Sequence, residues 1–176
     1  YITSVGYLNP SEIPRGYLQI EGKTTSHRLP FVLHRPVHTL VEDLNSDGID
    51  EIVICEFGHL TGALSLFTKK DTLNYSKEVL LNAPGTLRTI AKDMNGDCKL
   101  DLVVLTSQGR EGITIFYQKE NLSFVPETVI QFSPVYGSSW FELVDFDGDG
   151  DDDIITAHGD NADKSYVQKP YHGVRI

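Results

Sequence analysis

The chain has 176 residues, 25 acidic and 15 basic, giving a formal net charge of −10, with 40% apolar and 10% aromatic residues. This composition supports a sizeable core in one or two ordinary domains, while the charge argues against nucleic acid as a partner and against a polybasic membrane-surface role. No run of 18 apolar residues occurs, so no membrane span is expected, and no basic segment leading into an apolar stretch opens the chain.

The chain starts at Tyr1 and its one methionine is Met94, which leads us to expect a processed or excised piece of something longer. Cys55 and Cys98 do not make a disulfide framework. They read either as two buried thiols behaving as small apolar residues or as a single bridge.

In chain order, residues 16–20 open on Gly16 and read as the third strand of a sheet, with 28–33 as its fourth. The stretch 38–42 then leads into an acidic loop, Asp43-Leu-Asn45-Ser-Asp47-Gly48-Ile49-Asp-Glu51, followed by the apolar run 52–55. A third strand at 62–67 and a fourth at 75–81 complete this unit. The pattern then repeats. Strand 88–92 precedes Asp93-Met-Asn95-Gly-Asp97-Cys98-Lys99-Leu-Asp101, and strands at 102–105, 112–117 and 124–132 follow. A further copy has 140–144, then Asp145-Phe-Asp147-Gly-Asp149-Gly150-Asp151-Asp-Asp153, then 154–157, and begins a third strand at 173–176. The loops recur after 50 residues (Asp43 to Asp93) and 52 (Asp93 to Asp145). That period is the size of one four-stranded propeller blade. The apolar runs are short and β-branched, as expected of strands buried on both faces. The expected fold is therefore all-β: a β-propeller, about three blades of a larger ring. Its divisions are 1–36 (end of a preceding blade), 37–85, 86–137 and an incomplete blade at 138–176.

Each acidic loop offers oxygen donors at alternate positions, the pattern a hard cation such as calcium takes. The expected ligand sets are Asp43, Asn45, Asp47, the Ile49 carbonyl and Glu51; Asp93, Asn95, Asp97, the Lys99 carbonyl and Asp101; and Asp145, Asp147, Asp149, the Asp151 carbonyl and Asp153. Glycine at the sixth position permits a sharp turn with positive φ, which Gly48 and Gly150 satisfy and Cys98 does not. The second site is thus expected to be strained, weaker or remodelled. An EF-hand shares the first six positions but needs a glutamate at the twelfth and flanking helices. Here the twelfth residue is Ile54, Val104 or Thr156, inside a strand-like run. The bland alternative is three solvated acidic turns. Three bound Ca²⁺ would take the charge from −10 to about −4 and relieve repulsion among the clustered carboxylates.

These loops, with the hydrophobic run that follows each, resemble the FG-GAP and VCBS repeat families of calcium-binding propeller repeats. The resemblance spans about residues 37–176, with Phe57-Gly58 in the place of the Phe-Gly that names the first family and no Gly-Ala-Pro in the chain. It implies a seven-bladed ring, a location outside the cytoplasm (extracellular, cell-surface or periplasmic) and an adhesive or binding role without catalysis. Weak extracellular calcium modules, working at about 10⁻⁴–10⁻³ M, fit that setting. The remaining blades are expected from the parent chain or a partner chain.

In such a topology the rim opposite the acidic loops collects the other unusual residues. Glu56, Phe57 and His59 lie in one connection, Gln108, Arg110 and Glu111 in the next. The third connection is longer by nine residues and holds His158, Asp160, Lys169, Tyr171 and His172. His34, Arg35, His38, Arg88, Tyr136 and Trp140 join them. Long loops on one face of a repeat array often form its binding face. We expect a glycan or protein ligand there, with Trp140, Tyr136 and Tyr171 as stacking platforms. A polysaccharide-processing lyase or hydrolase is the alternative, with His158, His172 or His38 as general base and Arg35, Arg88 or Lys169 as anion stabiliser. No nucleophile elbow, zincin motif or phosphate loop is present. Asn74-Tyr-Ser76 and Asn121-Leu-Ser123 are glycosylation sequons if the source is eukaryotic.

Overall fold

Short β-branched runs separated by Asp/Gly turns pair most readily with their chain neighbours, because each tight turn returns the next run antiparallel to the last. The computed structural model describes residues 1–9, 11–72, 74–159 and 171–176. Its strands form four antiparallel sheets, with no helix among the described residues. The first sheet holds β1 (Ile2–Ser4), β2 (Tyr17–Glu21) and β3 (Ser26–Arg28). The second holds β4 (Pro36–Glu42), β5 (Glu51–Glu56), β6 (Ala63–Lys69) and β7 (Tyr75–Leu81). The third holds β8 (Thr86–Lys92), β9 (Asp101–Thr106), β10 (Gly112–Gln118) and β11 (Phe124–Gln131). The fourth holds β12 (Ser138–Val144), β13 (Asp153–His158) and β14 (Gly173–Arg175). Within every sheet the spatial order follows the chain order.

The sheets stack face to face, and strand alternation explains how. In β5, Ile52 and Ile54 turn toward the first sheet and pack with Leu18, Leu29, Leu33 and Phe67. Val53 and Cys55 turn the other way and meet Leu102, Val104 and Phe116 of the third sheet. In β9 the same alternation sends Val103 and Leu105 toward Phe141 and Ile154 of the fourth. β5 and β9 are consequently buried at all six positions. Each such aliphatic side chain contributes about 1.5–3 kcal/mol on leaving water.

A backbone ladder ties the sheets at the end opposite the acidic loops. Phe57 N donates to Arg35 O, Gly85 N to Phe57 O, and Ser107 N to Gly85 O, at 3.1, 2.8 and 2.7 Å. Gly85 has φ +97°, and an added Cβ would stand 2.2 Å from Ser107 O, so the approach requires glycine.

Three features depart from the sequence expectations. β1 adds a second strand to the first sheet, where only a third and fourth were expected. The expected strand 28–33 is split: β3 ends at Arg28, and Leu33 returns to the sheet only through a bridge to Gly16. Pro30 lies between them and has no N–H to continue the ladder. The innermost strands β4, β8 and β12 start two residues early, each with a register shift between its first and third residues. His38, Arg88 and Trp140 are therefore equivalent positions inside strands, and His38 and Trp140 do not sit on the connections expected to carry them.

Cys55 is buried and Cys98 exposed, both as free thiols, so the single bridge does not form. Burial pushes the Cys55 thiol up to about 12, while its bond to Thr89 Oγ1 and the nearby Arg88 charge pull only partly against this. A thiol-reactive maleimide at neutral pH is expected to label Cys98 alone and to reach Cys55 only on unfolding. Mass spectrometry of native and urea-unfolded samples checks this; two labels on the native protein would contradict it.

Candidate metal loops and the opposite rim

The three acidic loops join β4 to β5, β8 to β9 and β12 to β13, and they fold alike. The first-position carboxylate points into its own loop and caps backbone donors. Asp43 Oδ2 accepts from Gly48 N at 2.8 Å, Asp93 Oδ2 from Cys98 N at 2.8 Å, and Asp145 Oδ2 from Gly150 N at 3.1 Å. The third-position oxygen accepts from the fifth residue's amide: Asn45 from Asp47, Asn95 from Asp97, Asp147 from Asp149. The fifth-position carboxylate accepts from the seventh: Asp47 from Ile49, Asp97 from Lys99, Asp149 from Asp151. Such Asx bonds curl the loop so that alternate side chains converge. In the third loop, ligand oxygens of Asp145, Asp147 and Asp149 all lie within 4.8 Å of one another. In the other two loops an asparagine amide oxygen takes the middle place.

The ninth-position acids are held differently. Glu51, Asp101 and Asp153 each accept from the amide of the loop's second residue, Leu44, Met94 or Phe146, at 3.0–3.1 Å. Asp101 is fully buried, and its other oxygen takes Gln118 N at 2.8 Å. Gln118 Nε2 then donates to Leu44 O and Leu100 O, both at 2.8 Å, which ties the first loop to the second across two sheets. Burial raises the Glu51 carboxyl above its usual range against the pull of the Leu44 amide, helped by Asp47, Asp43 and Asp50. For Asp93 the desolvation pushes upward, but the amides of Cys98, Gly96, Asn95 and Asp97 outweigh it and hold the carboxyl low.

Cys98 adopts φ +65°, in the same region as Gly48 (+85°) and Gly150 (+99°). The second loop thus keeps the geometry of the other two, at the expense of a left-handed conformation that disfavours a side chain. An oxygen-only set of carboxylates, amides and backbone carbonyls is the donor chemistry that suits calcium or magnesium rather than a soft metal.

At the other end the expected residues fall into separate groups, and most are engaged. Arg88 Nε donates to Phe141 O at 3.0 Å, and Nη2 meets both oxygens of Glu142 at 2.9 and 3.0 Å. Its guanidinium lies 3.8 Å from the Trp140 ring centroid, and Trp140 Nε1 donates to Glu142 at 2.7 Å. His38 accepts at Nδ1 from Thr89 N, at 3.4 Å. Glu56 has no exposed surface: Oε1 takes Ser65 Oγ and Lys77 Nζ, each at 2.6 Å, and Oε2 takes His34 N at 2.8 Å. His59 is half-buried, and its backbone N donates to Thr61 O. Gln108 is buried at φ +70°, and neither atom of its amide finds a protein partner.

A second group forms around His158. Ser138 Oγ donates to Glu111 Oε2 at 2.9 Å and is 3.1 Å from His158 Nδ1, while Thr156 Oγ1 is 2.9 Å from Nε2. These bonds fit a ring protonated on Nδ1. The order is acid–serine–histidine, so the acid holds the hydroxyl rather than orienting the imidazole as a nucleophile's base requires. Phe132 and Tyr136 pack edge-on against the ring, Tyr171 stacks on Tyr136 with centroids 5.0 Å apart, and Arg175 lies 4.3 Å from the Tyr136 centroid. His172 lies over Gly159. Asp160 and Lys169 fall outside the described residues. Sequence reasoning passed over Ser138, Thr156, Lys77, Glu142 and Arg175. Ser138 could have been found by register, since it matches Pro36 and Thr86 in the preceding units.

His38 and His158 both titrate below the usual imidazole value, about 6.5. Burial is the main cause for each, followed by Arg88 for His38 and Arg175 for His158, where Glu111 pulls the other way. A histidine held neutral in the fold contributes full stability above pH 6.5. It loses that contribution as acid protonates the unfolded chain first. Chemical unfolding is therefore expected to show stability falling between pH 7 and pH 5, with a shallower fall in His158→Gln. An unchanged slope in that variant would contradict the assignment.

Among known proteins, the FG-GAP-like repeat family matches residues 93–156, which run from the second acidic loop through the third. This segment is similar to an FG-GAP-like repeat. No curated protein matches the chain. No helix of the described residues is long and apolar enough to cross a membrane.

Proposed function

We propose that the chain is part of a calcium-stabilised β-propeller that works outside the cytoplasm as a binding module for a glycan or protein, without catalysis. The observation that carries this reading is the threefold recurrence of one loop fold, with Asp145, Asp147 and Asp149 oxygens drawn within 4.8 Å of one another. Four sheets stacked in chain order, and an FG-GAP-like repeat in the segment that holds two of the loops, support the propeller part. Calcium would neutralise converging carboxylates and fix the turn between the first and second strands of each blade. The ligand would meet the rim opposite the loops, where Tyr136 and Tyr171 stack and Trp140 is half exposed.

Calorimetric titration of calcium into metal-stripped protein tests the first part, with up to three sites expected. Absence of binding heat together with an unchanged melting temperature would overturn it.

A further inference from the structure

One seam between sheets is less filled than its neighbour, and register shows why. Glu56 pairs with Ala63 and Thr106 with Gly112, so Thr106 takes the place of Glu56. Lys77 lies opposite Phe67 as Pro126 lies opposite Phe116. Pro36 and Thr86 correspond likewise, which places Ala83 and Pro84 where the preceding unit has Leu33 and His34. In the seam between the first and second sheets, buried Leu33 and the Glu56–Lys77 pair fill the space. Between the second and third sheets the three counterparts are alanine, threonine and proline. Pro84 also lacks the N–H that His34 gives Glu56. The volume left open is a groove of about 380 Å³ whose lining includes Ala83, Pro84, Arg110, Thr114, Thr128 and Gln131. That size lies at the lower end of small-ligand sites.

Its polar groups are distinctive. The chain has six arginines. Arg15, Arg28, Arg35, Arg88 and Arg175 all lie against aromatic rings. Arg110 is exposed at the groove; its carbonyl accepts from Thr106 Oγ1 at 2.8 Å, but its guanidinium, alone among those of the described arginines, meets neither a hydrogen-bond partner nor an aromatic ring. In a protein of charge −10 such a guanidinium marks where an anion can be received. Thr114 and Thr128 hydroxyls are 3.2 Å apart, so one donates to the other and a hydroxyl donor remains. Gln131 spends Nε2 on Glu111 O at 2.6 Å, which leaves Oε1 as an acceptor. Ala83 and Pro84 supply an aliphatic wall.

We propose that this groove binds a hexuronic acid unit of an acidic saccharide: the carboxylate on Arg110, ring hydroxyls on the threonines and Gln131, and a C–H face against Pro84. The inference rests on the binding-module reading and names its ligand class. A peptide added as a strand is disfavoured, because Pro126 interrupts the outer strand β11 that it would have to pair with.

The test is titration of the whole chain with a galacturonic acid disaccharide and its methyl ester at millimolar concentrations, followed by NMR. The free acid is expected to bind at least tenfold more tightly than the ester. Arg110→Gln should remove that preference, and Ala83→Leu, which restores the bulk of Leu33, should abolish binding. Melting temperatures of both variants verify folding. Equal binding of acid and ester, no binding of either, or displacement by a glutamate-rich peptide of equal Arg110 dependence would overturn the proposal. Binding that survives both substitutions and is lost in Tyr136→Ala would overturn the groove and leave the binding module standing.

Discussion

Lys77→Met is expected to destabilise the protein by about 3–5 kcal/mol, the range for removing one partner of a buried ion pair. Glu56 has no exposed surface, so it cannot recover the lost charge from water. Ser65 Oγ and His34 N would still donate to it, but neither carries a positive charge. The effect belongs to the stranded carboxylate and not to lost packing, since methionine keeps much of the stem over the Phe67 ring. Glu56→Gln combined with Lys77→Met should therefore recover most of the loss. Urea unfolding of the two variants checks this: equal destabilisation of single and double variants would show that the charge is not the cause. Calorimetric melting should move by roughly 2–4 °C per kcal/mol for a chain of this size.

Calcium withdrawal is expected to have the second large effect if the loops hold the ion as proposed. A site saturated at a hundred times its dissociation constant contributes about 2.7 kcal/mol, and one at ten times about half as much. With three loops, chelation is expected to lower the melting temperature by ten degrees or more, on the order set by that linkage and the size scaling. Asp145→Ala removes a ligand oxygen and also the acceptor for Gly150 N and Gly148 N. It should shrink the calcium-dependent shift by about a third, the share of one loop in three. Thermal melts with and without chelator, on wild type and variant, measure both quantities. An identical shift in wild type and variant would contradict a role for the third loop.

Much of the architecture was legible because the chain repeats. An Asp-rich loop followed by four apolar residues fixes a turn and a strand together, so β5, β9 and β13 could be placed to within a residue or two. β7 could be placed at Tyr75–Leu81 only by its position as the fourth strand of the repeat, since its sequence does not alternate. β1 was not legible: Ile2–Ser4 is three residues long with no turn signal, and only pairing with β2 makes it a strand. The split of the fourth strand in the first sheet was signalled by Pro30, but a proline tolerated at an edge is weak evidence of a break.

The loops were legible as donor sets, but not in how each oxygen is used. Nothing local to Asp101 announces that both its oxygens are taken by Met94 N and Gln118 N, because Gln118 arrives from the end of β10. Cys98 looked incompatible with its turn, and the structure shows it in the conformation of the glycines it replaces. The opposite rim was the least legible. Glu56, Arg88 and Glu111 are polar and appear available in sequence, yet their partners Lys77, Glu142 and Ser138 come from other strands. Arg110 stands apart because the groove beside it is set by what three other positions lack.

The most direct measurement is an anomalous difference map from crystals grown in calcium. We predict a peak in each acidic loop, about 2.3–2.6 Å from the first-, third- and fifth-position side-chain oxygens, with the strongest at Asp145, Asp147 and Asp149. Bends that stay closed on their own amides with no ion in saturating calcium would contradict the claim that a divalent cation locks these sheets together.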